Sequence, residues 1–141
     1  MTNIIAQTDN YKNLLSLVTS KIDGSKQKVL RQANSELITL YWQIGKAIAT
    51  AQENQGWGAK VVDNLAFDLK SSYPDSKGFS VRNLKNMRKF ALSWPEIAFV
   101  QTCLHKLSWH HNCTIIDKIS NNHERCWYAE KTIEQGCLEM Y

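Results

Sequence analysis

Apolar residues recur along this chain at spacings of three and four, the period of one face of an α-helix. Tyr11, Leu14, Leu15, Val18 and Ile22 form a first such stripe, and Asp23-Gly24-Ser25 predicts its stop. Leu30, Ala33, Leu37, Tyr41, Ile44 and Ile48 form a second, predicting a long amphipathic helix from Ser25 to near Glu53. Asn54-Gln55-Gly56-Trp57-Gly58 is a two-glycine break. Val61, Val62, Leu65 and Leu69 then restart the pattern in a helix from Lys60 to Ser72, which ends before Pro74 because proline restricts the residue preceding it.

The stretch from Tyr73 to Gly78 has turn chemistry, and the next helix has a well-marked start. Ser80 is a favoured N-cap, while Phe79 and Leu84 occupy the two positions of a hydrophobic staple. This helix runs to Ser93, closing before Trp94-Pro95. Glu96 to Lys106 is weakly patterned and predicts no helix. Ser108 predicts a cap for a helix carrying Trp109, Ile115, Ile116 and Ile119, and a last helix spans His123 to Gln135, ending at Gly136. No run alternates as the strands of a sheet would. The expected architecture is therefore all-α, a compact bundle of about five to six helices, with a single domain over residues 1–136 and an atypical tail at 137–141.

Composition narrows the function classes. The 141 residues, 43% of them apolar, suffice for one core. No segment approaches the apolar length of a membrane span, and the polar beginning of the chain does not read as a signal peptide, so neither membrane insertion nor export is expected and the expected compartment is the cytoplasm. In that setting the four cysteines are expected to be free thiols. The net charge of +4 is mild, but from Ser76 to Pro95 there are five basic residues and no acidic one.

That run is the main candidate site. Within the helix from Ser80, Leu84, Met87, Phe90 and Ala91 are expected inward, while Arg82, Lys85, Asn86 and Lys89 recur on the opposite side. Lysine and arginine neutralise phosphates with release of counterions, and arginine or asparagine can read base edges. The candidate nucleic-acid-binding set is Lys77, Ser80, Arg82, Asn83, Lys85, Asn86 and Lys89, with Lys85 and Lys89 expected on phosphates and Arg82 and Asn86 on bases. The preceding helix makes the pair resemble a helix-turn-helix, although the turn is longer than usual. The competing reading is that these charges only solvate the outside of a helix.

Other chemistries are weaker. Cys103, His105, His110, His111, Cys113, His123 and Cys126 crowd one third of the chain, but their spacing leaves too little backbone between partners for most zinc cages, so no metal and no cofactor is expected. Asp68-x-Lys70 and Asp75-x-Lys77 match a fragment of some nuclease sites, yet one falls in a helix and the other in a turn. No nucleophile elbow or phosphate-binding glycine loop is present, and no catalytic residue is expected. Trp42 and Trp109 are read as packing residues, and Trp57, in its glycine-flanked loop, as the tryptophan to test for binding.

Four strings carry a resemblance: Tyr41-Trp42-Gln43-Ile44-Gly45-Lys46, Gly56-Trp57-Gly58-Ala59-Lys60, the run from Lys77 to Phe90, and Leu107-Ser108-Trp109-His110-His111. Together and in this order they resemble the N-terminal domain of YhcG-like proteins. The resemblance implies a helical domain expected to bind DNA through a helix-turn-helix-like unit and normally followed by a separate PD-(D/E)XK nuclease domain. That second domain is not in this sequence, and after Gly136 the chain reads Cys137-Leu138-Glu139-Met140-Tyr141, which departs from the family pattern and suggests a truncated, split or frameshifted form. The expected function is thus a non-enzymatic DNA-binding module. The alternative is an assembly module in which the long helix docks a nuclease domain on a separate chain or a second copy of itself.

Overall fold

A computed structural model describes residues 9–56, 58 and 60–135. The described residues form six α-helices and one 3-10 turn, with no strand. They are α1 (Asp9–Gln55), α2 (Lys60–Ser72), α3 (Val81–Ser93), α4 (Ile97–Thr102), the 3-10 turn Leu104–Lys106, α5 (Trp109–Lys118) and α6 (Asn122–Glu134). By its internal contacts the chain divides into two units, Met1–Ala33 and Asn34–Tyr141.

In the first unit the expected stop at Asp23-Gly24-Ser25 does not occur, because α1 continues through it as one helix of 47 residues. A single glycine in a helix costs only about 1 kcal/mol relative to alanine, which good helix formers on either side can absorb. Gly24 keeps an ordinary φ, the described glycine with a positive φ being Gly56. From Lys12 to Ala33 every residue is exposed.

The second unit holds the core. Its part of α1 buries Ile38, Tyr41, Trp42, Gly45 and Ile48. The expected stripe is corrected here, since Leu37 is 37% exposed and Ile38, one position on, is fully buried. Trp42 is fixed at both ends: its ring is buried, and its indole N–H donates to the Trp94 carbonyl at 2.7 Å. At Gly56 the positive φ of 65° lets the chain leave α1 at little cost, the usual role of glycine just past a helix end.

One core cluster joins Ile38, Trp42, Phe90, Trp94, Val100, Leu104, Leu107, Ile116 and Ala129. The other joins Tyr41, Ile48, Val62, Ala66, Leu84 and Met87. Residues of both α1 and α3 belong to each cluster, so these two helices join the two halves of the core. The stretch 96–106, expected without a helix, contains α4 and the 3-10 turn. Its six-residue helix lacks a side-chain cap and is too short to show a period, but Val100 and Leu104 are buried. Buried Asn112 donates to the carbonyls of Leu104, Leu107 and Ser108, and Asn34 donates to those of His105 and Leu107, so two amides satisfy this irregular segment from either side.

The crossing of α1 and α3 is set by Gly45. A Cβ placed there would collide with the Met87 carbonyl and come within 2.9 Å of the Arg88 amide nitrogen. The two backbones touch at this point, and only a residue without a side chain permits it.

Candidate nucleic-acid interface

The start of α3 is fixed by its cap and by a small polar knot. The Ser80 hydroxyl accepts from the Asn83 amide at 3.1 Å, Leu84 is fully buried, and Phe79 packs partly buried on the second core cluster. The Asn83 side chain donates to the Gly78 carbonyl at 2.7 Å and accepts from the Trp109 indole N–H at 2.7 Å. The Trp109 ring sits edge-on to Tyr41 at 4.9 Å and to Phe90 at 5.2 Å. Burial pushes the pKa of the Tyr41 hydroxyl up, disfavouring its ionisation, and a hydrogen bond with Asn83 partly opposes this. Through Asn83, the turn before α3, α1 and α5 all hold the first turn of α3 in place.

Asn83 lies in the basic run and belongs to the expected nucleic-acid-binding set, and both ends of its amide are engaged inside the fold. Ser80 is exposed, with its hydroxyl oxygen occupied as the cap acceptor. Lys77 is exposed in the turn. Arg82 and Lys85 are exposed, and neither side chain makes a hydrogen bond or ion pair with any described residue. Asn86 is half-buried. Lys89 donates to the Asp117 carboxylate at 3.0 Å in a pair whose side chains are 51% and 56% exposed. Such a solvent-screened pair contributes little and is readily exchanged for another anion.

Arg88, which sequence reasoning did not single out, joins this surface. It is half-buried, its Nε is fully enclosed without a hydrogen-bond partner, and no carboxylate pairs with it among the described residues. It lines an open groove of about 1310 Å³ together with Lys85, Lys89 and Leu92 of α3 and Ser120, Asn121, Asn122 and His123. Gln52 and Glu53 at the end of α1 also border it, and the Gln52 Oε1 is a second enclosed atom without a partner. The run of basic residues was visible in the sequence, but the groove requires α3 and the α5–α6 link to be brought together.

That link is built from polar contacts. Arg125 is buried and donates to the carbonyls of Ile116 and Ile119 at the end of α5 and, at 2.7 Å, to the Asn122 side chain. A cation among the last carbonyls of a helix is favourably placed. Asn122 in turn donates to the Ser93 carbonyl at 3.1 Å, and Asn121 caps α6 by accepting from the amides of His123 and Glu124. The α6 N-terminus, carrying partial positive charge, thus borders the groove.

Among the described residues no group of three histidine, cysteine, aspartate or glutamate side chains is placed to hold a metal ion. Asp68 lies exposed in α2 and Asp75 exposed in the turn after it. Trp57 and the segment 137–141 lie outside the described residues. Cys103, Cys113 and Cys126 are free thiols. The Cys113 thiol is pushed up to about 12, chiefly by burial, with Asp117 adding to the shift and Lys89 opposing it. It is therefore expected to resist alkylation at pH 8 in the native protein and to react on unfolding, as a time course of iodoacetamide labelling with and without denaturant would show. Because the folded value lies above the ordinary value of 9.0, this group's contribution to stability is complete below pH 9.0 and is lost as pH rises toward 12.

With this geometry in view, comparison with known proteins is decisive as to family. The chain matches the DUF1016 N-terminal domain over residues 17–138. It belongs to that family. It is also 26% identical over 99 residues to the Escherichia coli (strain K12) protein named "Putative nuclease YhcG", an alignment covering 67% of this chain and 26% of that protein. The chain thus spans about a quarter of the length of this curated relative. No solved structure matches it. Among the described residues no helix is long and apolar enough to cross a membrane.

Proposed function

We propose that this DUF1016 N-terminal domain binds duplex DNA, with α3 as the contacting helix of a helix-turn-helix-like pair formed with α2. The observation that carries the reading is the state of three cations on one surface. Among the described residues Arg82 and Lys85 are exposed and unpaired, and Arg88 is half-enclosed with no carboxylate paired to it. A guanidinium removed from water without a counter-charge is unfavourable, and a phosphate in the groove supplies that charge with geometry suited to arginine. Lys89 joins by exchanging Asp117 for the backbone of the nucleic acid. The relative's name supports the same reading, since a nuclease acts on nucleic acid and a separate non-catalytic module can deliver it there.

The roles are divided by position. Lys85, Arg88 and Lys89 border the groove and contact phosphates, whereas Arg82, in the first turn of α3, is placed to approach base edges. The test is a salt titration of binding to a short labelled duplex. Arg82→Gln with Lys85→Gln is expected to weaken binding about tenfold or more and to reduce the slope of log K against log salt by about 1, because one phosphate-neutralising charge (Lys85) and one base-edge contact (Arg82) are lost. Unchanged affinity and slope in a folded double variant overturn the proposal. A second reading, an assembly module, is favoured by a different observation in the first unit, where α1 exposes Leu14, Leu15, Leu17, Val18, Ile22, Val29 and Leu30.

A further inference from the structure

We infer that residues 11–33 of α1 form a docking helix for an amphipathic helix of another protein whose apolar stripe is flanked by acidic residues. The inference is independent of the DNA-binding surface, sharing no residue with it. Leu15, Val18, Ile22 and Val29 follow one another at steps of 3, 4 and 7, which places them on a coiled-coil seam, and are 50%, 43%, 48% and 62% exposed. A lone helix buries no apolar surface of its own, so such a stripe gains by covering. Leu14, at a g position beside the seam, is also exposed and widens the apolar surface, whereas exposed Leu17 and Leu30 lie off the seam.

Charge identifies the occupant. When Leu15, Ile22 and Val29 are taken as the a positions of about three heptads, the e and g positions beside the seam hold Lys12, Lys21, Lys26 and Lys28 and no acidic residue. Residues 11–33 contain five lysines and arginines against one acid, Asp23, which lies off the seam. A second copy would set lysine against lysine: in parallel pairing g faces the next e of the partner, and in antiparallel pairing like positions face each other. Like charges at these positions disfavour association, whereas glutamate or aspartate flanks turn each repulsion into an attraction. Ser25, a small polar residue at a d position, weakens a purely hydrophobic seam and leaves more of the selectivity to the flanks.

The experiment uses the full chain and two synthetic three-heptad peptides with the same isoleucine and leucine seam, one with glutamate at all e and g positions and one with lysine. Fluorescence anisotropy is expected to show the glutamate peptide binding at least about tenfold more tightly than the lysine peptide, with the difference shrinking as salt is raised. Ile22→Asp is expected to abolish glutamate-peptide binding while leaving DNA binding and the melting of the core unchanged, and Ile22→Leu is expected to retain it. Equal binding of the two peptides, failure of the glutamate peptide to bind, or sedimentation of the chain alone as a dimer that Ile22→Asp dissolves would each overturn the inference. The dimer result would point to a second copy as the occupant.

Discussion

Gly45→Ala is expected to destabilise the protein by about 3 kcal/mol or more, lowering the thermal midpoint by roughly 10 °C. An alanine methyl at this position meets the Met87 carbonyl and the Arg88 amide nitrogen, both parts of the α3 backbone. A side chain can rotate away, but a backbone held in the middle of a helix moves only if the helix moves. Because Met87 is fully buried, separating α1 from α3 also opens the second core cluster. The consequence reaches function, since Lys85, Arg88 and Lys89 are carried on the displaced helix and the groove changes shape with them. Gly24→Ala is the matched control: nothing lies within 4 Å of its added methyl, so the variant should gain up to about 1 kcal/mol from helix propensity. Calorimetric melting of the two variants checks the pair, and similar shifts in both would show that backbone contact does not govern Gly45.

Asn83→Ala is expected to cost about 2 to 4 kcal/mol, although its neighbours in the sequence suggest a ligand contact. The substitution leaves the Trp109 indole N–H and the Gly78 carbonyl without their partner and removes the hydrogen bond with Tyr41. The cap at Ser80 survives because it uses the main-chain amide of residue 83. A fall in denaturation midpoint with altered tryptophan fluorescence, at a DNA-binding salt slope close to that of the wild type, is the expected result. A variant of unchanged stability that loses DNA affinity would return Asn83 to the contacting surface. The comparison with Arg82→Gln and Lys85→Gln separates residues that hold α3 in place from residues that α3 presents.

The local signals of the chain were legible wherever they are short-range. Ser80 and Ser108 each accept a hydrogen bond from the amide three residues on, as their positions before apolar runs imply. The inward set of α3, namely Leu84, Met87, Phe90 and Ala91, follows from its period. The break at Gly56 follows from what glycine permits. By contrast, Asp23-Gly24-Ser25 looked like a terminator and is not one, since stop signals are weak preferences that a long helix can override.

Sequence alone thus determined the all-α class, most helix boundaries and the acid-free cationic run of α3, because capping, periodicity and charge depend on residues a few positions apart. Tertiary structure decided which of those residues are available. It engaged the Asn83 amide inside the fold and, among the described residues, left Arg82 and Lys85 unpaired and half-enclosed Arg88 without a paired carboxylate. It also seated α3 on the backbone of α1 at Gly45 and brought the α5–α6 link to the groove that Lys85, Arg88 and Lys89 line. Apart from the local Asn83–Gly78 bond, these outcomes depend on contacts between residues far apart in the chain, such as Asn83 with Trp109 and Gly45 with Met87, whose geometry is fixed by close packing and hydrogen-bond satisfaction rather than by any local pattern.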